Sequence, residues 1–208
     1  MNHEDNAIAN DPAMLHRALC EVDAWLVLSG DLHPQRDVAE RQVAAYRQLG
    51  ITHIIDCRQE WDDEYLLAEL APEIRYWNLG THDDGGPQAD AWFDAGVAAY
   101  HRAMEQEGAK ILVHCHMGVN RGPSMALRLM LEHDPEVLPE DCVIEIRRAR
   151  PIARILYAED AARHALGPAI EENLEGSRKV ARMLKVLAED TIDMGDVIHA
   201  IRRSEGAP

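Results

Sequence analysis

Short apolar runs alternate with segments of helical period over the first 115 residues of the chain. The apolar runs predict four strands, at residues 22–28, 51–57, 74–79 and 110–115. Apolar residues at helical intervals predict three helices between them, at residues 35–49, 62–71 and 89–106. Gly50 directly follows the first of these helices and is expected to end it in the left-handed conformation. The alternation predicts an α/β fold with a central, mainly parallel sheet flanked by helices.

The second half of the chain, from Gly122 onward, has no strand pattern. It predicts five helices, at residues 125–132, 139–150, 155–165, 169–188 and 192–202. The pair Gly167-Pro168 is the clearest break among them. We therefore expect three parts, which are a polar leader with a short helix over residues 1–21, a core domain over residues 22–166 and a helical C-terminal appendage over residues 167–208.

The charge balance excludes one class of partner. The 208 residues include 21 Lys and Arg against 37 Asp and Glu, which is a net charge of −16 with neutral His. Because phosphate backbones are bound mainly through Lys and Arg, we expect no nucleic-acid partner. Any phosphate chemistry then needs a small, local positive site.

The four cysteines lie far apart and form no Cys-x-x-Cys pair. This spacing is unlike that of a zinc ribbon or a disulfide-rich secreted domain, and it indicates reduced thiols. The opening residues lack the basic and apolar regions of a signal peptide, and no apolar stretch approaches the ~18 residues of a membrane span. We expect a soluble cytoplasmic protein without a membrane partner, and the sequence leaves its oligomeric state open.

The segment 114–124, His-Cys-His-Met-Gly-Val-Asn-Arg-Gly-Pro-Ser, carries the candidate chemistry. It places Cys115 at the end of an apolar strand and Arg121 six positions later, where the next helix begins. The spacing alone is weak, because Cys142 and Arg148 repeat it within a helical pattern that has no glycine. At Cys115, a glycine in the loop and a proline that suits the first turn of a helix make the match informative.

A loop of five residues between a strand end and a helix N-terminus can turn its backbone N–H groups inward and form an anion nest. The same amides favour the thiolate of Cys115, which makes it a nucleophile. Arg121 can hold two phosphate oxygens through its planar guanidinium. The glycine in the loop permits positive φ or a close backbone approach. The expected nest consists of His116, Met117, Gly118, Val119 and Asn120.

These residues resemble the catalytic loop of the cysteine-dependent protein tyrosine phosphatase superfamily. The short His-Cys-x-x-Gly-x-x-Arg pattern, without a Trp-Pro-Asp loop, is similar to that of its dual-specificity branch. The resemblance extends over residues 22–166, where residues 26–30 and 50–56 resemble two strand segments of the family and Arg150-Pro151 resembles its recurring Arg-Pro. It implies a dual-specificity phosphatase-like fold and phosphomonoester hydrolysis through a cysteinyl phosphate on Cys115, with no metal or organic cofactor.

The resemblance also implies a general acid, an aspartate on a mobile loop about thirty residues before the cysteine. Asp83 fits this distance and follows an extended segment, and Asp84 is the second candidate. The carboxyl group must be protonated when the phosphoester is cleaved and basic when water attacks the intermediate. The alternative is that both aspartates only form a turn beside Gly85 and Gly86.

One position departs from the family pattern. Gly122 follows the arginine, where the family usually has a Ser or Thr whose hydroxyl eases departure of the thiolate. Ser124 lies two residues further along the helix and therefore on another side, so we do not expect it to take over. We predict that activity persists but that hydrolysis of the phosphorylated enzyme limits turnover.

Cys57 ends the second strand of the predicted core. In some members of the superfamily a cysteine there forms a reversible disulfide with the nucleophile, and the alternative is a buried structural thiol. Several histidines occur in the core, but without the spacing of a metal site, so no metal is expected. His114 is expected to orient the loop through its ring, whereas His82 and His116 either contact substrate or are simply exposed.

The composition of the loop bears on the substrate class. The loop has no Lys or Arg besides Arg121 to bind additional phosphates. This favours phosphotyrosine, phosphoserine or phosphothreonine in proteins over a small sugar, nucleotide or lipid phosphate. A different alternative is a module of the same fold that binds phosphoproteins without turnover, which Gly122 makes plausible. The presence of Cys115 and Arg121, with Asp83 suitably placed, favours the enzyme.

Overall fold

The computed structural model describes residues 15–167, 174–189 and 193–204 of the chain. A 3-10 turn at Leu15–Arg17 opens the described part. The strands in it are β1 (Cys20–Asp23), β2 (Leu26–Ser29), β3 (His53–Arg58), β4 (Arg75–Thr81) and β5 (Ile111–His114). The helices in it are α1 (Arg36–Leu49), α2 (Glu64–Leu70), α3 (Asp90–Met104), α4 (Arg121–His133), α5 (Pro139–Ala149), α6 (Ala158–Leu166), α7 (Leu174–Ala188) and α8 (Met194–Ser204).

The strands form one sheet in the order β1-β2-β5-β3-β4. Neighbouring strands are parallel except for β1, which is antiparallel to β2. Ser29 at the end of β2 and Asp56 in β3 both pair with His114, the last residue of β5. The predicted α/β fold with a mainly parallel sheet is therefore confirmed. The carboxyl ends of β2, β5 and β3 meet at one edge, where ligands of such sheets bind.

The first predicted strand, residues 22–28, is instead a hairpin. The chain reverses between β1 and β2, where the Asp23 carboxylate accepts the Ala24 N–H at 2.6 Å. Trp25 in this turn is only 7% exposed. Because Trp25 is buried, apolar residues resume directly after Asp23, and the sequence pattern looks like one strand.

Alternate residues of the central strands face opposite layers of helices. Ile55 and Val113 lie in the larger core cluster, together with apolar residues of α3, α4, α5 and α6. Ile54 and Leu112 lie in a second cluster with residues of α1 and α2. Because both faces of the central strands are covered, β2 and β5 are fully buried and consist almost entirely of apolar residues.

One predicted helix end and two predicted helix starts can be compared with the structure. Gly50 ends α1 with a φ of 77°, as predicted. Helix α4 begins at Arg121, as the motif predicted, whereas the apolar pattern begins only at residue 125, because residues 122–124 are helical without contributing to an apolar stripe. The helix predicted from residue 155 begins at Ala158, because Ile155 has a φ of 58° and interrupts the turn before it.

Helix α7 of the C-terminal region packs on the core domain. Val180 and Met183 of α7 are buried in the larger core cluster, and Arg182 of the same helix pairs with Glu140 of α5. Of the helix predicted at residues 169–188, the part up to residue 173 lies outside the described residues. In the described ranges, no helix has the length and apolar character needed to cross a membrane.

Candidate active site

Cys115 directly follows β5, the central strand of the sheet. The chain then curls through residues 116–120 into the first turn of α4, which begins at Arg121. We call residues 115–121 the Cys115 loop. Cys115 is 2% exposed. The N-terminus of α4, which is the positive end of the helix dipole, therefore lies at the same edge of the sheet as the cysteine.

Gly118, in the middle of the Cys115 loop, has a φ of 62°. A Cβ at this position would collide with the carbonyl oxygen of Ser29 and would lie 2.5 Å from Nη2 of Arg150. Backbone conformation and available space therefore both require glycine. At Gly118 the Cys115 loop therefore contacts the carboxyl end of β2 closely.

Arg150 holds the Cys115 loop from the protein interior. Its Nε donates to the carbonyl oxygen of Gly118 at 2.6 Å, and its Nη2 donates to that of Met117 at 3.0 Å. The same guanidinium donates to the carbonyl oxygens of His16 and Ala18 ahead of β1. Arg150 is 1% exposed, and its partners in the described part of the chain are carbonyls and a thiol. Among the residues that the structure describes, this buried positive charge has no carboxylate partner, and it lies beneath a loop suited to anions.

Arg121 is oriented by Glu60, a residue from the segment after β3. Nη1 and Nη2 of Arg121 donate to the two carboxylate oxygens at 2.7 and 2.6 Å. Nη1 also donates to the carbonyl oxygen of Thr81 at 3.0 Å. The bond from Arg121 lowers the pKa of Glu60 to about 2. Nε of Arg121 is buried and has no hydrogen-bond partner among the described residues.

Asp83, in the loop after β4, reaches the same site. Its Oδ2 lies 3.5 Å from Nε of Arg121. Its Oδ1 accepts the Tyr157 hydroxyl at 2.7 Å and the Asn120 side-chain amide at 3.5 Å. The Asp83 side chain is 30% exposed. A carboxyl group beside the arginine and open to solvent can exchange a proton with a bound ligand.

Asp84, the second candidate acid, has a different environment. Its side chain is 68% exposed and lies 3.4 Å from the exposed ring of His82. Its Oδ1 accepts the Gly86 N–H at 2.8 Å, which is the turn-forming contact expected of an aspartate before two glycines. The structure thus brings Asp83, rather than Asp84, against the Cys115 loop.

Residues 36–153, which include Cys115, Arg121 and Asp83, match the family model described as "Dual specificity phosphatase, catalytic domain". The chain belongs to this family. Dual specificity protein phosphatase 26 of Bos taurus and of Homo sapiens is 37% identical to this phosphatase-family chain over 88 residues, which are 42% of this chain and 42% of each relative. The match therefore spans less than half the length of these curated relatives.

Solved structures have the same fold as this phosphatase-family chain. The crystal structure of PTPMT1 has a TM-score of 0.57 at 19% identity, and the match covers 79% of this chain and 99% of that one. Human DUSP28 has a TM-score of 0.50 at 18% identity, covering 82% and 95%. PTPMT1 in complex with PI(5)P has a TM-score of 0.52 at 16% identity, covering 69% and 96%. At these identities the likeness establishes the dual-specificity phosphatase fold.

Ser124 is fully buried, and its Oγ accepts the backbone N–H of Tyr157 at 3.1 Å. The Ser124 hydroxyl is therefore bonded to Tyr157 and does not replace the hydroxyl that Gly122 lacks. Gly122, which occupies that position, packs closely on β5. A Cβ on Gly122 would lie 3.1 Å from the carbonyl carbon of His114 and 3.3 Å from the nitrogen of Cys115. A side chain there requires the backbone to shift by a few tenths of an ångström.

His114 does not orient the loop through its ring, contrary to expectation. Nδ1 of His114 has no hydrogen-bond partner in the part of the chain that the structure describes. The ring faces Asp56 at 3.8 Å and Asp63 at 4.0 Å. These three side chains lie close enough together to share a cation, but Arg58 pairs with Asp56 at 2.5 Å and with Asp63 at 2.7 Å. The group is a buried ion-pair cluster with the arginine as its positive charge.

His116 connects the Cys115 loop to Asp31. Nδ1 of His116 lies 2.7 Å from the Asp31 carboxylate, and its carbonyl oxygen accepts the Asp31 N–H at 3.1 Å. Burial raises the pKa of Asp31, but the His116 bond and the charges of Arg17 and Arg58 outweigh burial, so the pKa lies below its ordinary value. The half-exposed Trp61 packs edge-on against the His116 ring, with centroids 5.2 Å apart. His116 is therefore both an anchor of the loop and a partly exposed group beside it.

Cys57 lies on the strand next to Cys115. Asp56 and His114 pair across β3 and β5, so the next residues, Cys57 and Cys115, are neighbours at the carboxyl edge and share the larger core cluster. Burial and the charge of Cys115 raise the pKa of the Cys57 thiol.

Cys142 of the second Cys-x5-Arg match lies in α5, where burial raises its pKa to about 12. It is a core residue.

A cavity of about 470 Å³ opens beside the Cys115 loop. Leu156 on its wall is 47% exposed, so the cavity presents an apolar side chain to an incoming group. The residues that line it are Val119, Asn120, Arg154, Leu156, Asp193, Gly195 and Ile198. The last of these belong to the C-terminal segment, which thus reaches the rim of the site.

Sequence reasoning missed Glu60, Tyr157 and the loop-holding role of Arg150. Glu60 follows the carboxyl end of β3, which neighbours β5, so its place at the edge of a parallel sheet was a usable signal. Tyr157 had no such signal. It follows the irregular turn at Ile155, and no periodic pattern relates it to Asp83.

Proposed function

We propose that the protein is a phosphatase that hydrolyses phosphomonoesters through a cysteinyl-phosphate intermediate on Cys115. The observation that carries the proposal is the placement of Arg121. It begins the helix after the Cys115 loop, Glu60 orients two of its nitrogens, and its Nε lies 3.5 Å from Asp83. A nucleophile, a phosphate-binding cation and an acid therefore belong to one site.

In the proposed first step, the Cys115 thiolate bonds to phosphorus as the bond from phosphorus to the alcohol or phenol oxygen breaks. Asp83 gives its proton to that oxygen. In the second step, the Asp83 carboxylate takes a proton from water, the water oxygen bonds to phosphorus, and the thiolate leaves. Arg121 and the loop amides stabilise the charge on the phosphoryl oxygens in both steps. These steps require no metal or organic cofactor.

We propose a phosphorylated protein side chain as the substrate. The Cys115 loop has no second cation for additional phosphates, and the net charge of −16 opposes polyanionic ligands. The cavity beside Val119 has apolar walls at Leu156 and Ile198. Its volume suits one side chain next to the phosphorylated residue. A phosphoinositide, the ligand solved with PTPMT1, is the competing class.

The decisive experiment is hydrolysis of 4-nitrophenyl phosphate under reducing conditions with a chelator. Cys115→Ser is expected to abolish turnover, whereas Cys142→Ser, which alters the buried cysteine of the other Cys-x5-Arg match, is the matched control and should retain it. A rapid-mixing record is expected to show a burst of about one product per enzyme, because the second step is slow. Equal turnover by the wild type and Cys115→Ser would overturn the mechanism.

A second candidate function is a phosphoprotein-binding module without turnover. Gly122 favours it, because the hydroxyl that assists hydrolysis of the intermediate is absent. Binding of vanadate or phosphate by a wild type that releases no product in the same assay would support this function over the enzyme.

A further inference from the structure

Tyr157 lies outside the Cys115 loop, at the residue before α6, and is 2% exposed. Its hydroxyl donates to Oδ1 of Asp83 at 2.7 Å and accepts the Gly85 N–H at 3.3 Å. One buried hydroxyl therefore holds two positions of the segment 82–87, which we call the acid loop. Neither of the two proposed chemical steps uses the contact between Tyr157 and Asp83.

Tyr157 is itself attached to the helix that carries Arg121. Its backbone N–H donates to Oγ of Ser124 at 3.1 Å, and Ser124 is fully buried in the first turn of α4. Ser124, Tyr157 and Asp83 thus form a continuous path from the start of α4 to the acid loop. Movement of the acid loop relative to Arg121 requires this path to break.

The direction of the bond to Asp83 distinguishes its two oxygens. Because the Tyr157 hydroxyl donates to Oδ1, that oxygen is an acceptor, and the proton of the neutral carboxyl group belongs on Oδ2. The side-chain amide of Asn120 also donates to Oδ1. Oδ2 is the oxygen that lies 3.5 Å from Nε of Arg121. Oδ2, the oxygen that accepts neither the Tyr157 hydroxyl nor the Asn120 amide, therefore faces the phosphate-binding guanidinium.

We propose that Tyr157 is the positioning residue of the general acid, which holds the acid loop against the Cys115 loop and directs the acid proton to Oδ2 of Asp83. The inference rests on the proposed phosphatase function. During cleavage the Oδ2–H bond breaks and its proton moves to the leaving oxygen, while the proton of Tyr157 stays on its phenol. Burial and the Asp83 bond raise the pKa of Tyr157 to about 12, which suits a hydroxyl that donates without ionising.

The test compares kcat/KM of Tyr157→Phe on phenyl phosphate and on 4-nitrophenyl phosphate. Phenolate is the poorer leaving group, because it lacks the nitro group that delocalises its charge, and its departure depends more on proton transfer. We expect a loss of about tenfold on phenyl phosphate and of less than about threefold on 4-nitrophenyl phosphate. Equal losses on both substrates, or no loss on either, would overturn the role of Tyr157.

Tyr100→Phe is the matched control. It also removes one hydroxyl hydrogen bond, to Nδ1 of His133 at 2.8 Å, at the other end of α4. We expect it to leave the ratio of the two kcat/KM values unchanged. Thermal unfolding followed by circular dichroism shows whether each variant keeps its fold. If Tyr157→Phe does not fold, Ser124→Ala takes its place, because it releases the backbone of Tyr157 and keeps the hydroxyl, and the same selective loss is expected.

Asp83→Asn supplies an independent measurement. It removes the acid proton, so adding Tyr157→Phe to it is expected to cause no further loss on phenyl phosphate. Losses that multiply would show that Tyr157 acts independently of Asp83 and would overturn the inference. A wild type without Cys115-dependent turnover refutes the proposed function itself, whereas an active wild type with equal losses refutes only the role of Tyr157.

Discussion

Nε of Arg150 donates to the carbonyl oxygen of Gly118 at 2.6 Å, and the same guanidinium occupies the space that a Cβ on Gly118 would need. The two residues depend on each other. The absence of a side chain on Gly118 lets the guanidinium approach, and the guanidinium satisfies a carbonyl group that the loop turns toward the interior. The end of α5 thereby determines the shape of the Cys115 loop.

Arg150→Met is expected to weaken inhibition by vanadate at least about tenfold, because the positive charge beneath the loop is lost. It is also expected to lower the unfolding temperature, because hydrogen bonds worth ~1 kcal/mol each are lost. Arg150→Lys keeps the charge but loses the planar guanidinium, so its effect should be intermediate. Inhibition constants and thermal unfolding measure both. Arg148→Met is the control, because Arg148 is 73% exposed and pairs with Glu145 on the surface of the same helix. Unchanged vanadate inhibition in Arg150→Met would contradict this role.

Gly122→Ser is expected to increase steady-state turnover of 4-nitrophenyl phosphate and to reduce the burst, because its hydroxyl can assist departure of the Cys115 thiolate. Gly122→Ala is the matched control, since it places the same Cβ 3.1 Å from the backbone of His114 without a hydroxyl. Both variants should be destabilised equally by this contact, as thermal unfolding measures. A serine variant that is no faster than the alanine variant would show that hydroxyl assistance does not limit turnover.

Cys57 is expected to form a disulfide with Cys115 after mild peroxide treatment. Neighbouring strands lie about 4.8 Å apart, which is within the Cα separation of disulfides. Peroxide oxidises the Cys115 thiolate to sulfenic acid, and the Cys57 sulfur then displaces water. Burial raises the pKa of Cys57, so Cys115 reacts first.

Mass spectrometry of peptides from oxidised protein identifies the bond between Cys57 and Cys115. In Cys57→Ser, peroxide is expected to inactivate the enzyme irreversibly, whereas the wild type regains activity with a thiol reductant. Cys142→Ser, which removes another buried cysteine, should behave like the wild type. If the two cysteines remain unlinked, Cys57 is a structural thiol.

Glu60→Gln is expected to destabilise the fold in a pH-dependent way. The bond from Arg121 lowers the pKa of Glu60 from its ordinary 4.5 to about 2. A lowered pKa in the folded state means that the ion pair stabilises the protein above about pH 4.5 and that this stabilisation disappears as the pH falls to about 2. The difference in unfolding temperature between wild type and variant should shrink over this interval.

The control for Glu60→Gln is Glu159→Gln, which breaks an exposed pair with Arg163. Exposed ion pairs contribute little to the free energy of unfolding and are screened by salt. The effect of Glu159→Gln on the unfolding temperature should therefore be smaller than that of Glu60→Gln. Only Glu60→Gln should also raise KM for 4-nitrophenyl phosphate, because Arg121 loses its orienting partner. A difference in unfolding temperature that is constant from pH 7 to pH 2 would be inconsistent with the ion pair as its source.

Ile198→Asp is expected to lower kcat/KM about fivefold for a phosphotyrosine peptide with an apolar neighbouring residue, because part of an apolar contact is lost. Turnover of 4-nitrophenyl phosphate, which does not extend into the cavity, should stay unchanged. Ile144→Asp is the control, because Ile144 is an exposed residue of α5. Hydrolysis of PI(5)P in vesicles with a higher kcat/KM than any peptide would contradict the protein substrate.

Periodicity predicted the sheet and most helices because buried parallel strands and amphipathic helices have different periods. It failed where a turn carries an apolar residue. Trp25 is buried within the hairpin between β1 and β2, so the one polar residue of the turn, Asp23, did not distinguish the reversal from a continuous strand. It also failed at Ile155, whose positive φ no pattern indicated.

By itself the sequence determined the Cys115 loop, because a strand end, a glycine-containing turn and an arginine at a helix start are contiguous in the chain. Only the tertiary structure decided what orients this loop. Glu60, Arg150 and Tyr157 come from separate segments that meet where parallel strands end and helices pack against them. Contacts between such segments depend on packing, which local periodicity does not encode. For that reason the link from Ser124 through Tyr157 became visible only in three dimensions.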